Sequence, residues 1–285
     1  MKRKFFMICS TGQTATRWLS RALSAHPEIY CLHSTGEPED ILNQVSSKNV
    51  FSERVTKDIE RDPDKLVTRM EKITDAPYLG YVHRHTAWSY LEYKNAQSLS
   101  ATFNLVRHPV NRIEALYGHF NKARDQYMID NANESFEVAA SLAKEMSTKY
   151  DVDFSDMANR FLFFSVWYAS IWNEEMKIFF GDPDLGQNTI IPMERVTVDR
   201  EYFCWLLKRI APDKQSDLAF ISEIFDQSSI HNKSDSNKTV KYSCAEDLFN
   251  KWEPWKQEML SIYFHRNNMI ELPEKLGYDL SFINT

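Results

Sequence analysis

No lysine closes the first candidate phosphate-binding loop. After Ser10-Thr11-Gly12 the chain reads Gln13-Thr14-Ala15-Thr16-Arg17, not the Gly-Lys-Ser/Thr of a Walker-type loop. No acidic magnesium ligand clearly follows a predicted strand either, which disfavours a P-loop kinase of small molecules. Cysteine is sparse: Cys9, Cys31, Cys204 and Cys244 stand apart with no C-x-x-C pair. That pattern speaks against a zinc site and a disulfide framework and suits reduced thiols, with Cys9 and Cys31 as core residues. Net charge is −6, which argues against general nucleic-acid binding. No apolar run approaches the roughly 18 residues that a membrane span requires. The apolar stretch after Met1-Lys2-Arg3-Lys4 is too short for a signal peptide, so a cytoplasmic location with no membrane partner is expected. No repeat, low-complexity segment or Pro/Gly-rich linker divides the 285 residues, and residues 1–285 read as one domain.

What is present begins with an apolar run, Phe5-Phe6-Met7-Ile8-Cys9, that stops at small and hydroxyl residues: Ser10, Thr11, Gly12, Thr14 and Thr16. Trp18, Leu19, Ala22 and Leu23 follow at helical spacing. A strand, a tight turn and a helix N-terminus result. Backbone N–H groups converge at such a turn and the helix dipole favours negative charge there, so the stretch reads as an anion cradle. The hydroxyls add hydrogen-bonding groups for phosphate oxygens. A second strand-to-helix passage runs from Thr102 to Phe120. Arg107 stands at the strand's C-terminal end, where open α/β sheets bind ligands, and Pro109 suits the first helical turn. Arg107 and Arg112 read either as cations at the edge of a nucleotide-sized site or as salt-bridged surface residues.

Strand-like runs at Lys4–Cys9, Ile29–His33, Tyr78–His83, Thr102–Val106 and Asn188–Met193 alternate with helical patterns. The longest helical pattern runs from Asp153 to Phe180, and the second half is mostly helical. This alternation predicts an α/β fold of three layers, αβα, with a central and mainly parallel sheet covered on both faces. The aromatics Phe161, Phe163, Phe164, Trp167, Tyr168 and Trp172 are expected in the core.

The two passages together resemble the sulfotransferases that use 3′-phosphoadenosine 5′-phosphosulfate (PAPS). In that family a loop of the type Arg/Lys-Ser/Gly-Gly-Thr-Thr/Arg follows the first strand and holds the 5′-phosphosulfate. Gln13-Thr14-Ala15-Thr16-Arg17-Trp18-Leu19 occupies the same register here. The family's Arg-x-Pro-x-x-Arg-x-x-Ser, which holds the 3′-phosphate, is matched by Arg107-His108-Pro109-Val110-Asn111-Arg112-Ile113-Glu114-Ala115. Ser24-Ala25-His26-Pro27-Glu28-Ile29, the segment around Glu194 and Leu276-Gly277-Tyr278 are similar to less specific family elements. Two departures matter for the phosphate contacts: Gln13 replaces the loop cation, and Ala115 replaces the serine. Arg17 is the candidate to restore the missing charge, and losing the serine removes a hydrogen bond worth roughly 1 kcal/mol.

The resemblance implies a P-loop nucleoside-triphosphate-hydrolase-like sulfotransferase fold and a PAPS-dependent transferase without a metal. Its implied partners are the nucleotide, bound as PAPS or as the product 3′-phosphoadenosine 5′-phosphate (PAP), and an unidentified acceptor, a sugar or other small molecule. The implied nucleotide-binding residues are Thr11, Gly12, Gln13, Thr14, Ala15, Thr16, Arg17, Trp18, Arg107, Arg112 and Ala115, with Lys233 and Lys238 as later candidates from a polar stretch. Sulfuryl transfer needs a base near the acceptor hydroxyl. The candidates are His85, in a segment similar to the Lys-Thr-His of cytosolic members; Glu37, placed like the catalytic Glu of carbohydrate-type members; and His33 at a strand end. The departures at Gln13 and Ala115 keep a nucleotide-binding relative without turnover as the alternative.

Overall fold

The computed structural model describes residues 3–10, 14–33, 63–84, 94, 99–119, 133–152, 156–212, 221–222, 225 and 244–283. These residues belong to two compact units. The first comprises Met1–Val106 with Phe179–Lys241; the second comprises Arg107–Ile178 with Tyr242–Thr285.

The first unit is built on an open five-stranded sheet in which every pairing is parallel. Its strands are β1 (Lys4–Cys9), β2 (Ile29–His33), β3 (Tyr78–Arg84), β4 (Leu99–Val106) and β5 (Ile190–Pro192). Their spatial order is β2-β3-β1-β4-β5. Phe5 to Cys9 are wholly buried, as a central parallel strand requires when both faces are covered. The architecture is thus α/β and consistent with three layers.

Parallel register places Gly80 beside Phe6. The Phe6 ring fills the space that a side chain at position 80 would need, so a Cβ there would overlap its Cζ. Between β1 and β2 runs α1 (Thr16–Ser24). It buries Trp18, Leu19, Ala22 and Leu23, the stripe expected from their spacing. Ser20 Oγ donates to the Cys31 carbonyl at 2.8 Å, which holds the helix against β2. Helix α2 (Pro63–Glu71) turns Leu66, Val67 and Met70 inward.

Three strands differ from their predicted limits. β3 runs one residue further, to Arg84. β4 starts at Leu99 because pairing continues through a polar residue: Ser100 Oγ donates to the Phe5 carbonyl at 2.8 Å. β5 is shorter than expected. Gln187–Thr189 form a 3-10 turn, following Gly186 at φ 80°, and Met193 already opens a helix.

The second unit is helical. It contains α3 (Pro109–His119), α4 (Asn133–Lys149) and most of α5 (Asp156–Gly181). The expected aromatic core is present where it can be described: Phe161 and Trp172 are buried. Further along the chain, the first unit holds α6 (Met193–Val196) and α7 (Arg200–Ile210), and the second unit resumes with α8 (Ala245–Phe249), α9 (Pro254–Arg266) and α10 (Glu271–Lys275). Phe161 meets Trp252 edge-on at 5.0 Å. A two-bond Arg266–Glu145 pair, 2.9 Å on each arm, links α9 to α4. Among the described residues no helix is long and apolar enough to cross a membrane. Cys9, Cys31 and Cys204 are free and buried, and Cys244 is free and exposed.

Candidate functional site

The order β2-β3-β1-β4-β5 makes β1 and β4 the neighbours from which chain connections leave toward opposite edges of the sheet. In open α/β sheets the crevice beyond the carboxyl ends of such strands is the usual ligand site. β1 ends at Cys9, and Asn104 of β4 lies opposite it.

The turn after β1 is tied together by its own side chains. Ser10 and Thr14 are both buried, and their hydroxyls hydrogen-bond each other. Thr16, the first residue of α1, shares a hydrogen bond of 3.0 Å between its Oγ1 and His33 Nε2. His33 is the last residue of β2 and is buried. The ends of β1 and β2 and the start of α1 are thereby held to one another.

Between Thr14 and Thr16 the backbone takes an uncommon shape. Ala15 adopts φ 57° and ψ 27°, the left-handed region, and stands at the N-cap of α1 without a side-chain cap. Its carbonyl still accepts the first helical bond, from Leu19 N–H at 2.9 Å. For alanine this conformation costs about 1–2 kcal/mol relative to the right-handed helix. A left-handed residue followed by helical ones gathers successive N–H groups into a concavity suited to an anion. The dipole of α1 adds positive potential at the same point. Glycine is the residue that adopts this conformation without steric cost.

The remaining first-motif residues divide. Arg17 is exposed on the first turn of α1. Trp18 is a packing residue, edge-on to Phe203 at 5.9 Å and to Phe225 at 5.6 Å. Thr11, Gly12 and Gln13 lie outside the described residues, as do Glu37, His85, Lys233 and Lys238.

The arginine motif belongs to the second unit. Arg107 directly follows β4 and is half-buried, and Pro109 opens α3 as expected. Arg112 is fully buried, with its Nε and Nη1 sealed from solvent. A buried guanidinium is kept only where it is paired or where an anion needs it. Ala115, at the serine position, is half-buried and offers no hydroxyl. The next residue before it, Glu114, accepts a bond from Trp252 Nε1 at 3.0 Å.

Between the two arginines sits His108, to which the sequence pattern gives no role. Its ring is buried and makes two hydrogen bonds that fix its tautomer. Nε2–H donates to the Asp279 carbonyl at 3.1 Å, and Nδ1 accepts from Val110 N–H at 3.3 Å. The ring is therefore neutral. Burial pushes its pKa down to about 4, opposed by the bond to Asp279.

One further polar residue stands out. Asn104, wholly buried, carries an amide whose Oδ1 and Nδ2 find no hydrogen-bond partner among the described residues. A polar residue inside the run Phe103–Val106 is the sequence signal that marks it. Among the described residues no cluster of His, Cys, Asp and Glu is arranged to hold a metal ion.

Comparison with protein-family models found none that matches the chain, and comparison with curated proteins found no match either.

Proposed function

We propose that this chain transfers a sulfuryl group from PAPS to a hydroxyl or amine of a sugar or other small acceptor. The observation that carries the reading is the left-handed Ala15 at the uncapped start of α1. A non-glycine residue holds a strained conformation at a position where the sulfotransferase pattern that the sequence resembles has glycine, and the strain is repaid where the turn must present its N–H groups to an anion. In this reading the turn with Thr14, Ala15 and Thr16 takes the 5′-phosphosulfate, and Arg107 and Arg112 serve the 3′-phosphate through charge-assisted bonds.

The chemistry follows from the charges. The acceptor oxygen attacks sulfur in line, the sulfur–oxygen bond to the phosphate breaks, and the leaving phosphate gains the negative charge. N–H groups and cations around it stabilise that charge. The acceptor proton passes to a base, with His85, Glu37 and His33 as candidates. His33 engages its Nε2 with Thr16, an anchoring geometry, while His85 and Glu37 lie outside the described residues.

Titration calorimetry with PAP in the absence of magnesium tests binding, and turnover of a labelled sulfate donor tests transfer. Magnesium-independent binding with turnover supports the proposal. Binding without turnover assigns the chain to nucleotide-binding relatives that have lost catalysis, as Gln13 and Ala115 would allow. Binding of ATP with magnesium and not of PAP refutes it in favour of a kinase.

A further inference from the structure

The segment Asp279–Ile283 lies far along the chain from the arginine motif, yet it is bonded to the middle of it. His108 donates to the Asp279 carbonyl, lies parallel to Phe282 with centroids 6.0 Å apart and planes at 17°, and meets Tyr278 edge-on at 5.3 Å. The far end of the segment is pinned too: His265 Nε2–H donates to the Ile283 carbonyl at 3.0 Å, and Leu280 and Ile283 are buried. Phe282 also packs on Phe249, with centroids 5.4 Å apart. All of these residues belong to the second unit.

His108 controls the backbone that carries both arginines. Arg107 is its chain neighbour. Arg112 donates its backbone N–H to the His108 carbonyl at 2.9 Å, and the ring's own Nδ1 holds the Val110 N–H. Fixing this ring fixes the entry into α3 and the direction in which the two guanidinium groups leave it. Phosphate recognition by arginine depends on such geometry, because the paired N–H groups act as a planar fork.

We propose that His108 and the segment Tyr278–Phe282 form a positioning device for the 3′-phosphate, setting the preference for 3′-phosphorylated nucleotides over those without that group. The inference rests on the assignment of Arg107 and Arg112 to the 3′-phosphate. Neither His108 nor the segment touches the nucleotide in this scheme; both act through the two arginines.

Three variants separate this role from a merely structural one. His108→Gln keeps a nitrogen donor near the Nε2 position, His108→Asn keeps only an acceptor near Nδ1, and Phe282→Leu removes the stacked ring at a half-buried site that tolerates change. Calorimetry with PAP and with adenosine 5′-phosphate reads the 3′-phosphate preference, and thermal melting verifies folding. The expected result is a tenfold or greater loss of PAP affinity in His108→Asn and about threefold in Phe282→Leu, with adenosine 5′-phosphate affinity unchanged and His108→Gln near wild type. Equal weakening of both nucleotides, or an unchanged preference in folded His108→Asn and Phe282→Leu, overturns the inference while leaving the arginine assignment intact. A wild-type protein that binds PAP no better than adenosine 5′-phosphate overturns that assignment and the inference with it.

Discussion

Replacing Ala15 with glycine tests the turn after β1 most directly. The substitution deletes one methyl group from a residue at φ 57° and ψ 27°. Two terms oppose each other. The left-handed conformation costs a non-glycine residue about 1–2 kcal/mol, and glycine removes that penalty. Glycine also makes the unfolded chain more flexible, which costs about 0.5–1 kcal/mol. The net expectation is stabilisation by about 0.5–1 kcal/mol, a rise in melting temperature of roughly 1–4 °C for a protein of this size. The methyl group is not part of the concavity, so PAP affinity should change by less than about threefold, equivalent to 0.65 kcal/mol. Ala15→Val supplies the opposite sign: a β-branched residue is a steric outlier at positive φ, and it should lower the melting temperature and weaken PAP together. Differential scanning calorimetry with nucleotide titration reads both quantities. A fall in melting temperature for Ala15→Gly comparable to that for Ala15→Val would refute the left-handed assignment, and with it the observation that carries the proposed function.

The other expectations concern the second motif and the sheet. Arg107→Ala should weaken PAP at least tenfold, since a charge-assisted phosphate contact contributes about 1.5–3 kcal/mol; unchanged affinity by calorimetry would remove Arg107 from the site. Gly80→Ala should destabilise the fold by about 1–3 kcal/mol by forcing the Phe6 ring aside, and adding Phe6→Leu should recover part of that loss in denaturant titrations. No recovery in the double variant would dissociate the two positions. His108 makes stability depend on pH in a definite direction. Its folded pKa, about 4, lies below the ordinary histidine value near 6.5. As pH falls below 6.5 the unfolded chain takes up a proton that the folded chain refuses, so stability is lost progressively down to pH 4, by roughly 3 kcal/mol. His108→Gln should flatten the urea-denaturation midpoint between pH 7 and 4.5 by that share; an unaltered slope would show that other groups set it.

The sheet was legible because burial writes itself into composition. Phe5–Cys9 and Ile29–His33 are nearly pure apolar runs, and a parallel strand covered on both faces needs them. Legibility ended where polar residues do structural work. Ser100 reads as loop but extends β4 through its bond to Phe5, and Thr189 reads as strand but closes the 3-10 turn onto the Gly186 carbonyl. Within the turn, residue types were visible, while the left-handed angle at Ala15 was not, because alanine does not advertise it. Arg107 and Arg112 stand out in the sequence by their spacing. No local pattern reveals the burial of Arg112, or the tether from His108 to Asp279, a partner far away in sequence. The hydroxyls of Ser10, Thr14 and Thr16 were noted as ligand donors; that they also bond to one another and to His33 required three-dimensional placement. Nor does any change in composition mark Arg107 as the start of the second unit.

The central position of β1 has a consequence for how the protein is made. Lys4–Cys9 pairs on one side with β3 and on the other with β4, and neither exists until synthesis has passed Arg84 and Val106. Until then the segment Phe5-Phe6-Met7-Ile8-Cys9 has two open edges, strong β-propensity and no charge, the composition that favours intermolecular pairing. Closing two such long loops is slow compared with helix formation. The growing chain therefore carries β1 unpaired until β3 and β4 have been made, and its yield in a cell should follow the supply of chaperones that shield β1 during elongation rather than the stability of the finished sheet.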